Sequence, residues 1–159
     1  MRRLPSLGPR GEGWVVLQGL FLLAIAAAGL WAGDAWGGVL AQLSGLIGVV
    51  LVGAGAVLFI RGVLDLGRNL TPMPRPLEGA SLVQSGAYAL VRHPLYGGLT
   101  IAAVGWGFLT ASPAALLLAV GLGIFFDLKS RREETWLVEC YADYDAYIGR
   151  TRRLIPWLY

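Results

Sequence analysis

Two short polar clusters hold the side chains of this sequence best suited to chemistry. The first is Ser85-Gly86-Ala87-Tyr88-Ala89-Leu90-Val91-Arg92-His93-Pro94-Leu95-Tyr96-Gly97-Gly98, the second Lys129-Ser130-Arg131-Arg132-Glu133-Glu134. His93, Glu133 and Glu134 are the candidate bases and hydrogen-bond acceptors, and Arg92 can pair with a carboxylate. Tyr88 and Tyr96 supply aromatic faces and hydroxyls. Between the clusters, Leu95 to Phe126 carries no charge. If this stretch doubles back, both clusters meet at one end of it. The result is a site with an apolar floor and a rim of His, Tyr, Arg and Glu, suited to a charged cofactor beside a lipid-soluble substrate.

Taken singly, each of these residues has an ordinary role. Arg92 and His93 can snorkel to a membrane surface, Tyr96 fits an interfacial aromatic, and the run from Arg131 to Glu134 fits a solvated helical face. Cys140 fits a small residue on a half-buried helix. One His and one Cys exclude a multi-His metal centre, an internal disulfide and a Cys-based zinc site. With no GxGxxG fingerprint, a nucleotide cofactor is not held in the Rossmann manner.

The elements that position the clusters are hydrophobic. Of 159 residues 56% are hydrophobic and 14% charged, against about a quarter charged in soluble domains. The mean hydropathy is +0.62. Gly13 to Ala32 is uncharged and about one bilayer span long. It is too long for a typical signal core, and no clear small-x-small cleavage site precedes Asp34. Ala35 to Ile60 is a second span, with Gly45, Gly48, Gly53 and Gly55 suiting close helix packing. Leu95 to Phe126 is too long for one ordinary span. Thr110-Ala111-Ser112-Pro113 in its middle reads as a tight turn, because Pro disfavours helix before itself and fits the first turn of a new one. One long, kinked helix is the competing reading.

Charge placement favours the hairpin. With four crossings, all 13 Lys and Arg lie on one side and only Asp34 on the other, the pattern of a cytoplasmic face. Three crossings would put the six basic residues of the tail outside. The expected fold is therefore an all-α integral membrane protein with four transmembrane helices, including a C-terminal helical hairpin, plus a cytoplasmic amphipathic C-terminal helix. It forms a single membrane-embedded domain over 1–159, with spans at 14–32, 38–60, 96–111 and 113–128 and cytoplasmic site segments at 69–96 and 127–159. Pro72, Pro74 and Pro76 predict an extended path. Leu137, Tyr141, Tyr144 and Ile148 predict one face of the amphipathic helix. Arg152, Arg153, Trp157 and Tyr159 suit an interfacial anchor.

The joint order of these residues carries more than any one of them. Ser85-Gly86-x-Tyr88, Arg92-His93-Pro94-x-Tyr96-x-Gly98, a helical hairpin, Glu133-Glu134-x-x-Leu137, Tyr141-x-x-Tyr144-x-x-Tyr147 and Ile155-Pro156 together resemble the isoprenylcysteine carboxyl methyltransferase family. The related phospholipid N-methyltransferases share much of this pattern. The resemblance runs from Asn69 onward. It implies S-adenosylmethionine as methyl donor, with cofactor contacts at Ala80, Ser81, Leu82 and Val83, at Tyr88, at His93, Pro94, Leu95 and Tyr96, and at Glu133. Lys129 falls where the prenylcysteine enzymes have a substrate-contacting Arg, and Ala142 stands where the family usually has Gly. Lys does not reproduce the fork of Arg.

The expected activity is methyl transfer to a lipidated or amphiphilic acceptor, with Glu133, Glu134 and Arg92 as candidate catalytic residues. The acceptor is a carboxylate, as in an isoprenylcysteine-like substrate, or a lipid amine. A carboxylate is favoured because an amine must first lose a proton, and Glu134, the spare carboxylate, is expected on a solvated turn. A non-catalytic transport or assembly protein is the other class, but a transporter places charge within its spans. The expected partners are the bilayer and a lipid-soluble or amphiphilic small molecule, with no nucleic acid. The expected location is a bacterial inner membrane with both termini and the site cytoplasmic.

Overall fold

A computed structural model describes residues 5–77 and 79–159. Arg2 and Arg3, part of the expected basic face, lie outside the described residues. The described chain is all-helical: α1 (Glu12–Trp31), α2 (Gly38–Leu66), α3 (Pro94–Leu109), α4 (Pro113–Cys140) and the short α5 (Tyr144–Arg150). Helices α1, α2 and α4 are long and apolar enough to cross a membrane, and α3 is a shorter apolar helix. Their outward faces remain apolar, with Leu23, Leu46 and Leu117 exposed. In a helix apolar all round, such faces meet lipid.

The turn between α3 and α4 is a hairpin. Ala111 takes a left-handed φ of 48° and reverses the chain. Ser112 Oγ then accepts from Ala115 N at 3.2 Å, and Pro113 occupies the first helical turn. Cap and proline together start α4 where the spacing predicts. Ser112 Oγ also donates to Ala28 O at 3.0 Å. Asp34 N donates to Thr110 O at 2.9 Å and Ala35 N to Ala111 O at 3.0 Å. Both loops of this end of the bundle are thereby joined.

Helices α2 and α3 approach through glycine. Gly48, Gly55 and Gly62 are buried at every seventh position of α2. A Cβ at Gly55 would stand 2.5 Å from Gly98 O, and one at Gly105 2.6 Å from Val52 N. This is the close backbone packing that associates helices in lipid, where burial of apolar surface adds little. Of the glycines expected in the seam, Gly48 and Gly55 lie in it, whereas Gly45 and Gly53 face open space. On the other side, Trp14, Phe21, Phe125 and Phe126 form an aromatic core between α1 and α4.

Two helices run further than the uncharged segments imply. Helix α2 continues past Arg61 to Leu66, and α4 continues past Phe126 to Cys140. The predicted amphipathic helix through Leu137 and Ile148 is divided. Helix α4 stops at Cys140, Tyr141 is extended, and α5 begins at Tyr144. The break lets the Tyr141 hydroxyl donate to Ala80 O at 2.9 Å, while Tyr144 and Tyr147 turn into the interior.

Candidate active site

At the end of the bundle away from the hairpin turn, three tethers place the first polar cluster. Gly86 has φ +60° and lies against Asp65 at the end of α2, leaving no room for a Cβ. Asp65 Oδ2 accepts from Ala87 N at 2.7 Å. The Tyr147 hydroxyl donates to Tyr88 O at 2.6 Å. Arg92 N and His93 N donate to Arg152 O and Arg153 O at 2.8 and 3.0 Å. His93 then stands at the N-cap position of α3 without a side-chain capping bond, and Pro94 follows in the first turn, where a missing N–H costs nothing.

Two adjacent carboxylates on α4 divide the second cluster. One helical step turns them about 100° apart. Glu133 Oε2 accepts from the Tyr96 hydroxyl at 2.8 Å and lies 3.8 Å from His93 Nδ1. Tyr96 stacks between His93 and Phe126, with centroids 5.4 and 4.7 Å away. Glu134 faces the other way. Its Oε1 accepts from Arg92 Nε at 2.7 Å and lies 3.3 Å from His93 Nε2, and its Oε2 accepts from Arg153 Nη2 at 3.0 Å. Arg153 also pairs with Asp127 at 3.0 Å. Glu134 is only 7% exposed, so the solvated turn expected for it is a buried junction of α3, α4 and the tail. Sequence spacing does not show that Arg153 returns to cover this face.

Both carboxylates lie beyond the apolar run of α4, and their surroundings push them in opposite directions. Burial raises the Glu133 pKa, opposed by His93, Tyr96 and Lys129. Burial alone would raise that of Glu134 as well, but the hydrogen bonds and charges of His93 and Arg92 outweigh it and hold the carboxyl at about 2. Burial, and then Glu133, raises the Tyr88 pKa and keeps this phenol a donor at neutral pH.

A cavity of about 340 Å³ opens beside these groups, within the size range of small-molecule sites. Ala80, Ser81, Leu82, Val83, Tyr88, Arg92, His93, Leu95, Tyr96, Lys129 and Glu133 all line it. Pro94 and Glu134 do not. Pro72, Pro74 and Pro76 contribute another wall. The sequence reading missed Gln18 as a lining residue. Its signal was present, because Gln18 is the one amide in the uncharged run of α1. It also missed Arg153 as a partner of Glu134.

Residues 43–144 match the model of the phospholipid methyltransferase family. The chain belongs to this family. The matched segment holds α2 from its second turn onward, α3, α4 and both polar clusters, and leaves α1 outside. The chain is 26% identical over 149 residues to the nickel-cobalt-cadmium resistance protein NccN of Alcaligenes xylosoxydans xylosoxydans, covering 91% of this chain and 63% of that protein. It is 33% identical over 79 residues to the cobalt-zinc-cadmium resistance protein CzcN of Cupriavidus metallidurans, covering 49% and 37%. It is 29% identical over 115 residues to protein-S-isoprenylcysteine O-methyltransferase B of Arabidopsis thaliana, covering 70% and 58%. The chain thus spans less than two thirds of the length of these curated relatives. Within the phospholipid methyltransferase family, this member places Arg92, His93 and Tyr96 of the Arg-His-Pro-x-Tyr motif and Glu133 of the Glu-Glu pair at one cavity, with Glu134 in the junction behind it.

Proposed function

We propose that this membrane protein is an S-adenosylmethionine-dependent methyltransferase that transfers a methyl group to a carboxylate of a lipidated or amphiphilic acceptor. The observation that carries this reading is the meeting of His93, Tyr96 and Glu133 at one cavity in a chain of the phospholipid methyltransferase family.

The residues present fit the cofactor's chemistry. It offers a sulfonium, an ammonium, a carboxylate, a ribose diol and an adenine, and supplies a methyl group open to in-line displacement. Glu133, the only carboxylate lining the cavity among the described residues, accepts from the ribose or balances a positive group. The cavity-lining groups of Arg92 and His93 serve the cofactor carboxylate. Tyr88 and Tyr96 cover the adenine or donate hydroxyls, and the backbone from Ala80 to Val83 lines the same site. Glu134 is occupied by Arg92, His93 and Arg153, so its role is to hold the first cluster in place. That leaves no spare carboxylate at the cavity among the described residues to strip a proton from an amine, whereas a carboxylate acceptor is already ionised at neutral pH. Lys129 holds the acceptor's negative charge. Aligning donor and acceptor in a site closed to water is then the main catalytic task.

The family's phospholipid model supports a second reading, N-methylation of a lipid amine. In the proposed arrangement the protein is one domain that crosses a bacterial inner membrane four times. Both termini and the site are cytoplasmic, and the acceptor comes from the bilayer. Transfer of labelled methyl from S-adenosylmethionine to an S-alkylated N-acetylcysteine, against an aminophospholipid, tests the reading. Labelling of the aminophospholipid alone would favour the amine.

A further inference from the structure

Lys129 is the only lysine of the sequence; every other cation is arginine. It is buried, 1% exposed, on the cavity wall one turn before Glu133. Its Nζ donates to Gln18 Oε1 at 2.6 Å and lies 4.7 Å from the centre of the Tyr96 ring. Among the described residues no carboxylate forms an ion pair with it. Burial lowers the Lys129 pKa to about 8, opposed by the charge of Glu133, and the direct partner of Nζ is a neutral amide, which does not cancel its charge.

The orientation of Gln18 follows from Lys129. An ammonium only donates, so the amide oxygen must face it, and the two N–H donors of the amide point elsewhere. Gln18 also lines the cavity. This corner accordingly presents N–H donors from two side chains. An incoming carboxylate finds partners on both and balances a buried charge. Glu133, one turn further along the same wall, is the cavity's carboxylate and is held by the Tyr96 hydroxyl; at the Gln18–Lys129 corner itself an incoming ammonium meets N–H donors and a like charge.

We propose that Gln18 determines acceptor specificity: with Lys129 it forms a donor-only subsite that takes the carboxylate of an amphiphile and turns away an ammonium headgroup. The inference rests on the methyltransferase reading and assigns part of the selection to α1, which lies outside the family match. Glutamate at this position would keep the contact to Lys129 but neutralise the subsite, which separates specificity from mere helix packing.

The single lysine gives a direct reporter. The full chain, carrying isotope-labelled lysine, is placed in nanodiscs at about pH 7.5, where a fatty carboxylate is ionised. Decanoate should shift the Lys129 side-chain resonance saturably, and decanamide and decylamine should not. Gln18→Glu should weaken decanoate binding by about tenfold or more, with the melting temperature kept. Gln18→Met, which removes the amide without adding charge, should weaken it by a smaller factor. Wild-type decanoate affinity in Gln18→Glu, or equal responses to decanoate and decanamide in the wild type, overturns the proposal. If Gln18→Glu does not fold, unchanged affinity in Gln18→Met overturns it equally. A decanoate response without S-adenosylmethionine binding would support the anion subsite while removing the methyltransferase reading.

Discussion

Arg92 and Glu134, from opposite ends of the α3–α4 hairpin, meet through a 2.7 Å contact between Arg92 Nε and Glu134 Oε1, with both residues buried. Arg92 is fixed further by Thr151 O, and Glu134 by Arg153. This junction ties the start of α3, the end of α4 and the tail into one unit. Removing one partner leaves a buried charge uncompensated, at a cost of about 3–5 kcal/mol. Glu134→Ala is therefore expected to lower the melting temperature strongly in mild detergent. Melting at the wild-type temperature would show that the junction contributes little.

Glu133→Ala should behave in the opposite way. Glu133 faces the cavity, and its side chain is 21% exposed. Its loss should leave the fold standing and weaken S-adenosylmethionine binding by about 10- to 150-fold, the equivalent of one hydrogen bond to a charged group. Tyr96→Phe deletes only the hydroxyl that holds Glu133 and should weaken binding less. Calorimetry on both variants, with melting curves alongside, makes the distinction.

Acidification gives a third test. The Glu134 carboxyl is held at about 2, below its ordinary 4.5. A lowered pKa in the folded state stabilises the fold fully above the ordinary value, and that contribution fades as pH falls toward the lowered one. The wild-type melting temperature should drop between about pH 5 and about pH 3, and Glu134→Gln should lack this part of the slope. Parallel slopes in the two proteins would place the acid sensitivity elsewhere.

The glycine seam predicts a packing defect between α2 and α3. A Cβ at Gly55 meets Gly98 O at 2.5 Å and Ala102 N at 2.6 Å. Both are backbone atoms, so relief requires the helices to part. Gly55→Leu should unfold the pair or force them apart, whereas Gly53→Leu, which has no neighbour within 4 Å, should melt like the wild type. Equal melting temperatures for the two variants would rule out the seam as the contact between α2 and α3.

The proposed topology can be read by thiol labelling. Ser112 is fully buried and caps α4, so a cysteine there reports packing as much as sidedness. Ala114 and Asp34 are exposed at the same end. In a Cys140→Ser background, Ala114→Cys and Asp34→Cys should label from outside the cell, while native Cys140, itself exposed, should label only from the cytoplasmic side. Labelling of Ala114→Cys from the cytoplasm alone would contradict four crossings.

The helices and the hairpin were legible because their signals are local. Uncharged runs set the long helices, and Ser112-Pro113 sets the turn. The gathering of Arg92, His93, Tyr96 and Glu133 followed from folding that hairpin back. The different surroundings of Glu133 and Glu134 were not legible, because they depend on where Arg153 returns after α5. The break at Tyr141 was hidden too: the apolar spacing from Leu137 to Ile148 continues through it, while the Tyr141 hydroxyl is drawn to Ala80. Gln18 is a lone amide in α1, but its partner Lys129 lies on another helix, and no spacing rule connects them.

Calorimetric titration of S-adenosylmethionine into the full chain in nanodiscs tests the central claim most directly. Saturable binding near one cofactor per chain, weakened at least about tenfold in Glu133→Ala, is the predicted result. No binding to the wild-type protein, or equal binding to the wild type and Glu133→Ala, would contradict the assignment of this cavity to the methyl donor.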